Sequence, residues 1–259
     1  MAQFTLPSAS PKQMLIQDFG LGKITILYSR PSLRGRSVFG ENSLLAPIDS
    51  LWRTGADSCT QITFSDTVII ADTVIESGTY SLFSIPGINT WELILNKGIK
   101  GIGAYNSDDD VIRLSVPVKQ QSNYTETFTI NLQQIGFESC VLQLSWASVE
   151  IELTIETKIV ERLKESYEEQ LQSETKPHFM AAYFYHLLGN DNQKALDEIT
   201  VALENNSGAY YMHYLKSRIE IALGKKDEAK TSAQNTLEAA IAAGSSDYQR
   251  LANDLLSHL

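Results

Sequence analysis

Histidine is absent from the first 177 residues of this 259-residue chain; all four, His178, His186, His213 and His258, lie beyond that point. The absence excludes chemistry before any motif is read. A cupin-like metal site needs imidazole ligands inside its barrel, and a Ser-His-Asp or Cys-His site needs a histidine base. The first half of the chain holds neither on its own. Cysteine is scarcer still, with Cys59 and Cys140 alone. In "CTQITF", Ile62 and Phe64 share one strand face and Cys59 takes the other. In "CVLQLSW", Cys140 shares a face with Leu142, Leu144 and Trp146. If both apolar faces point at one core, the thiols point apart, which argues against a disulfide. There is no C-x-x-C, G-x-S-x-G, H-E-x-x-H or phosphate-loop pattern, so no cofactor and no metal ligand set is implied.

Also missing is any apolar run of the ~18–20 residues that a membrane-spanning helix requires. Positive charge is in deficit, at 21 Lys and Arg against 31 Asp and Glu, for a net charge of −10. Such a chain has no basic field to recruit nucleic acid. The opening "MAQFTLPSASPKQ" lacks a charged n-region followed by an apolar h-region, so no signal peptide is read there. The Ala2-Gln3 junction with its polar, proline-containing sequel fits a trimmed mature end or a native start equally well. A hydrophobic content of 43% describes an ordinary globular chain. Its length suffices for about two domains of roughly 100–200 residues, with a core that needs no disulfide or metal staple.

What is present falls into two halves with different periods. From Lys23 to about Ile155 apolar and polar residues alternate: Ile24, Ile26 and Tyr28 in "KITILYS", Trp91, Leu93 and Leu95 in "WELIL", and Val149, Ile151, Leu153 and Ile155 in "VEIELTI". Turn signals such as Pro31, Gly55, Ser77-Gly78, Pro86-Gly87, Gly101 to Gly103 and Asn106-Ser107-Asp108 separate the runs. Short period-two runs at this spacing predict an antiparallel sandwich or barrel, with no helix-length pattern to support a parallel α/β sheet.

After Glu156 the period becomes helical. Val160, Leu163, Tyr167 and Leu171 make one stripe, and Pro177 suits the first turn of a new helix. "LLGNDNQKAL" and "ALGKKDEAK" each set a glycine turn between helical runs, with Ala195 and Ala229 one 34-residue period apart. The pairs resemble tetratricopeptide repeats in degenerate form. The small residue expected twelve positions before the alanine is Ser217 in the second unit but Tyr183 in the first, and the closing prolines are missing. Two units are fewer than a free-standing solenoid needs, so the helices require a further surface, either the β half or the helix near 157–172. "SDYQRLANDLLSHL" predicts a closing helix capped by Ser246 or Asp247, with a stripe of Tyr248, Leu251 and Leu255. The expected fold is α+β by segregation: an antiparallel β-sandwich over 1–156, then an all-α, tetratricopeptide-like domain over 157–259 packing on it.

Three groups of residues are candidates for function. Asp108, Asp109 and Asp110 in "NSDDDVIRL" lack the alternating spacing of a calcium loop and read as a turn. Arg30, Arg34 and Arg36 in "YSRPSLRGRSVFG", with Arg53 in "LWRTGAD", either tie down carbonyls and a carboxylate such as Asp57 or hold an anionic ligand. In the helical half, Phe179, Tyr183, Phe184, Tyr185, Tyr210, Tyr211 and Tyr214 cluster at the starts of the two units. Their spacing suits packing between helices, and an amphipathic groove for a peptide is the alternative. His186 and His213 belong with that packing.

The same motifs carry a resemblance. "YSRPSLRGRSVFG", "LWRTGAD" with "TQITFSD", "SGTYSLFSIPG" with "WELILNK", and "ETFTINL" with "LSWASVEIEL" resemble, in order and over residues 12 to 155, the bacterial DUF2911 family. The helical tail resembles the extension many members carry. Two departures stand out. "APID" puts Ile48 and Asp49 where the family has tyrosine and glycine, and Ile102 stands where a tryptophan precedes Gly-Ala-Tyr-Asn. The resemblance implies a β-sandwich and, because members often carry export signals, a mature exported form in the periplasm or cell envelope. The resulting expectation is a noncatalytic envelope binding or scaffolding protein that meets a protein or peptide through Tyr183, Tyr210 and Tyr214. The alternative is a receptor or enzyme for a small anion or carboxylate, using Arg30, Arg34, Arg36 and Arg53.

Overall fold

The computed structural model describes residues 6–40, 43–98, 103, 105–170, 177–188 and 191–259. Ala2, Gln3, Gly101, Ile102 and Leu171 lie outside these. The chain divides into two compact units, Met1–Ile159 and Val160–Leu259. The architecture is α+β with the two kinds of element segregated along the chain.

The first unit is a sandwich. One sheet runs β1 (Lys12–Phe19), β2 (Gly22–Ser29), β5 (Thr60–Phe64), β8 (Gly78–Ile85), β9 (Thr90–Asn96) and β10 (Asp110–Pro117), in that spatial order and antiparallel throughout. The second runs β11 (Lys119–Gln133), β12 (Ser139–Glu156), β6 (Val68–Ile70) and β7 (Thr73–Ile75). A separate two-stranded parallel pair, absent from the sequence expectation, sets β3 (Phe39–Gly40) against β4 (Ala46–Pro47). Alternation dictates the packing, because every second side chain of a strand meets the facing sheet. Ile24, Ile26, Ile62, Phe64, Leu93 and Leu95 from the first sheet and Phe128, Ile130, Leu142, Leu144 and Ile151 from the second form one core. The β1–β2 hairpin turns on two residues, with Gly20 at φ +60° supplying the left-handed position.

The two thiols point apart as the alternation requires, and both are free. Cys140 lies in the central core, and Cys59 joins Phe83 and Ile94 on the outer face of the six-stranded sheet. Burial pushes both thiols up to about 11.

The second unit contains α1 (Ile159–Gln170), α2 (His178–Leu187), α3 (Asn192–Asn205), α4 (Tyr210–Ala222), α5 (Lys226–Ala242) and α6 (Ser246–His258). Its core gathers Tyr167 of α1 with Ala181, Ala182, Tyr185, Ala195, Ile199, Leu215 and Ile219, so α1 supplies a packing surface for the helices that follow. Asp191 caps α3, its carboxylate accepting from Lys194 N–H at 2.9 Å. Gly224 and Gly244, at φ +75° and +70°, end α4 and α5 in left-handed turns.

Ala182 of α2 is fully buried and Tyr183 beside it is exposed. Ser217 of α4 is also buried and donates to Ala229 C=O at 2.8 Å. Two residues separate the C-cap of α2 at Leu188 from the cap of α3 at Asp191. Only Gly224 separates Leu223 from Lys225. In α6 the cap is Ser245, and the buried residue is Ala252, with Leu251 exposed.

Candidate functional site

Each of the four arginines gives guanidinium donors to the backbone or a hydroxyl of its own unit. Arg30 follows β2; its Nε donates to Phe128 C=O at 3.0 Å and its Nη2 to Thr129 Oγ1 at 2.7 Å, stitching the end of β2 to β11. Arg34 stands at φ +50° before Gly35 at φ +75°. Its N–H donates to the Glu126 carboxylate at 2.7 Å and its Nη2 to Ala9 C=O at 3.0 Å. Arg36 folds back on the preceding turn, donating to Leu33 C=O at 2.9 Å and Ser32 C=O at 2.7 Å. Arg53 donates to the backbone carbonyl of Asp57 at 2.7 Å, closing its own loop.

That loop explains the spacing of Trp-Arg-Thr-Gly-Ala. Trp52 enters the core, and its indole N–H returns to Gly55 C=O at 3.0 Å. Thr54, fully buried at φ +52°, pairs its hydroxyl with that of Ser84 at 2.9 Å. A Cβ on Gly55, at φ +156°, would stand 3.0 Å from both Ser29 C=O and Thr60 Oγ1. The loop plugs an aromatic cluster in which Trp52 meets Trp91, Phe128 and Trp146.

A second polar constellation escaped the sequence reading. Arg113 of β10 contacts Glu92 at 2.6 Å, Asp110 at 3.0 Å and the Tyr105 hydroxyl at 2.6 Å. Asn96 donates to the other Asp110 oxygen at 2.8 Å. Asp110 is therefore committed to the sheet, and Asn106 caps the turn at Asp108. Hydrogen bonding to Glu92 holds the Arg113 guanidinium above its usual range. Beside it opens a depression of 630 Å³ that Ile48, Asp49, Ile88, Glu92 and Arg113 help to line. The replaced "APID" positions thus border this hollow. Only cross-strand register reveals it, since Glu92 and Arg113 are 21 residues apart.

In the helical unit aromatic rings form a row across α2, α4 and α6. Tyr183 lies 6.3 Å from Phe179, Phe179 5.1 Å from Tyr211, and Tyr211 5.7 Å from Tyr210. Tyr248 then sits 4.8 Å from Tyr210 and 5.6 Å from Tyr214, and Arg218 covers the Tyr214 ring at 6.0 Å. Tyr183 is 42% exposed, and Tyr210, Tyr211, Tyr214 and Tyr248 are half-buried. Burial, then the neighbouring phenols of Tyr210, Tyr214, Tyr183 and Tyr211, pushes the Tyr248 hydroxyl up. Tyr167 and Tyr185 instead point into the core, where neither hydroxyl has a hydrogen-bonding partner among the described residues. Tyr248 belongs to the row, although the sequence shows it only as part of a stripe with Leu251 and Leu255.

The histidines serve local structure: Nδ1 of His178 meets Glu198 at 2.6 Å, Nδ1 of His186 meets Asn192 at 3.0 Å, and Nε2 of His213 meets Ser207 C=O at 2.8 Å. Among the described residues no group of three His, Cys, Asp or Glu side chains is placed to hold a metal, and no helix is long and apolar enough to cross a membrane.

A two-sheet sandwich with an arginine-braced loop at its aromatic centre, followed in the chain by six helices among the described residues, defines the class. The chain belongs to the DUF2911 family, described as a protein of unknown function, whose model matches residues 10–155. No curated protein matches the chain, and no solved structure does.

Proposed function

We propose that this is a noncatalytic binding protein of the cell envelope and that its helical unit takes up a protein segment on the tyrosine row of α2, α4 and α6. The observation that carries the reading is the row itself. Partly exposed aromatic rings from α2, α4 and α6, three helices that do not follow one another in the chain, meet ring to ring. Tyrosine offers wide apolar contact area with a hydrogen-bonding tip at low entropic cost, which suits a surface that meets a peptide. On this reading the helix pairs act as degenerate tetratricopeptide units, with Ala182 and Ser217 letting paired helices approach. The envelope setting rests on the family resemblance. The arginine-pocket alternative draws less support, because Arg30 and Arg53 spend donors on Phe128, Thr129 and Asp57.

The test is an array of overlapping peptides from envelope proteins, with hits titrated calorimetrically into wild type, Tyr183→Ala and Tyr214→Ala. Binding that weakens at least about tenfold in both variants supports the reading. Absence of any hit, or hits indifferent to both substitutions, contradicts it.

A further inference from the structure

Strand β1 ends the six-stranded sheet, and no described strand of that sheet lies beyond it. It differs from the other described sheet edges. β10 carries a register shift between Asp110 and Ile112 and ends on Pro117; β11 has two register shifts; β7 is three residues long. Bulges, prolines and short strands are how proteins blunt an edge against pairing. β1 has none of them within Lys12–Phe19: it pairs with β2 without interruption over eight residues. Its outer face shows Met14 at 59% and Ile16 at 57% exposure.

The hydrogen-bond parity of this edge is fixed. Arg30 N–H donates to Pro11 C=O at 3.0 Å, so odd-numbered residues of β1 direct their backbone groups toward β2. The N–H and C=O groups of Lys12, Met14, Ile16 and Asp18 therefore point away from the sheet. Of these, Asp18 C=O is met by Gln17 Nε2 of the same chain at 3.1 Å.

The sequence of the strand, Lys12-Gln13-Met14-Leu15-Ile16-Gln17-Asp18, is a chemical palindrome about Leu15. Set antiparallel against itself with Leu15 facing Leu15, it places Lys12 opposite Asp18, Gln13 opposite Gln17, and Met14 opposite Ile16, each twice. In this register the hydrogen-bonded pairs are 12 with 18 and 14 with 16. These are the residues whose backbone groups face outward. Their side chains all emerge on the exposed face, so charge meets opposite charge and apolar meets apolar. Neither Lys12 nor Asp18 has an ion-pair partner among the described residues. A shift of the pairing by one residue would put inward-facing groups on the seam.

We propose that β1 pairs with β1 of a second copy about a two-fold axis at Leu15, joining two six-stranded sheets into one of twelve strands. The occupant is a second copy because parity, apolar pairs and charge pairs all close in one self-complementary register.

Sedimentation velocity of the full chain into the high micromolar range tests this, with circular dichroism and thermal melts confirming that each variant folds. Wild type is expected to dimerise. Lys12→Asp and Asp18→Lys each put like charges on the seam and are expected to weaken the dimer at least about tenfold. An equimolar mixture of the two variants restores opposite charges at every pair and is expected to recover wild-type association, as is the double variant Lys12→Asp/Asp18→Lys. A monomeric wild type overturns the proposal. So does a dimer indifferent to both single substitutions, or a mixture that fails to recover.

Discussion

Trp52 stacks on Trp146 with ring centroids 5.7 Å apart and planes within 16°, so a loop side chain and a β12 side chain share the centre of the sandwich. The loop is held for that contact by the Trp52 indole N–H on Gly55 C=O and by the Arg53 guanidinium on Asp57 C=O. Trp52→Ala is expected to lower unfolding free energy by about 3–5 kcal/mol, the range for deleting a fully packed aromatic. Urea unfolding followed by tryptophan fluorescence and circular dichroism measures it. A loss under 1 kcal/mol would show, by about a threefold margin, that the loop is not a core element.

Arg30 joins β2 to β11 through two donors, Nε and Nη2. Arg30→Ala is expected to cost about 1–3 kcal/mol by leaving Phe128 C=O poorly satisfied. Arg30→Lys should restore little of it, since one ammonium does not reproduce the planar two-donor fork. Full rescue by lysine would mean that charge alone matters at this position.

The β6–β7 hairpin turns on Ala71 and Asp72 at φ +46° and +61°, a geometry that favours asparagine and glycine. Alanine there carries left-handed strain on an exposed site. Ala71→Asn is expected to stabilise the protein by about 0.5–1 kcal/mol, read as a higher urea midpoint with unchanged slope.

Glu220 of α4 is buried, with one carboxylate oxygen unpartnered and Lys216 Nζ 4.0 Å from the other. Burial pushes its carboxyl above the ordinary 4.5. A folded-state value above the unfolded one means stability is fully present below the ordinary carboxylate range and is lost as pH rises through the folded value. Glu220→Gln does not titrate, so it is expected to melt higher than wild type near neutral pH, with the gap closing below about pH 4. Thermal melts across that range check it; an equal gap at every pH would contradict the assignment to this carboxylate.

Much of the fold was legible because its signals are local. Alternation in "KITILYS" and "WELIL" decides which side chains face the second sheet, and the same rule separated Cys59 from Cys140. The change of period after Glu156 marked the helices. Illegible parts depend on pairs distant in sequence. Glu92 and Arg113 meet only through the β9–β10 register. The arginines were visible as a cluster, but their carbonyl partners Phe128 and Ala9 lie 98 and 25 residues away in the chain. Tyr248 joins the tyrosine row only once α6 has packed beside α4.

The proposed binding surface is the helical tyrosine row and not the arginines. The most direct test is the shift in Tm across a panel of anions, sugars and envelope-derived peptides, on wild type, Arg53→Ala and Tyr214→Ala. A ligand at 100 times its Kd adds about 2.7 kcal/mol to the folded state, a readily measured shift. The expected result is a shift with peptides alone, retained in Arg53→Ala and lost in Tyr214→Ala. A shift with a small anion that survives Tyr214→Ala and disappears in Arg53→Ala would contradict the account and move the site to the sandwich.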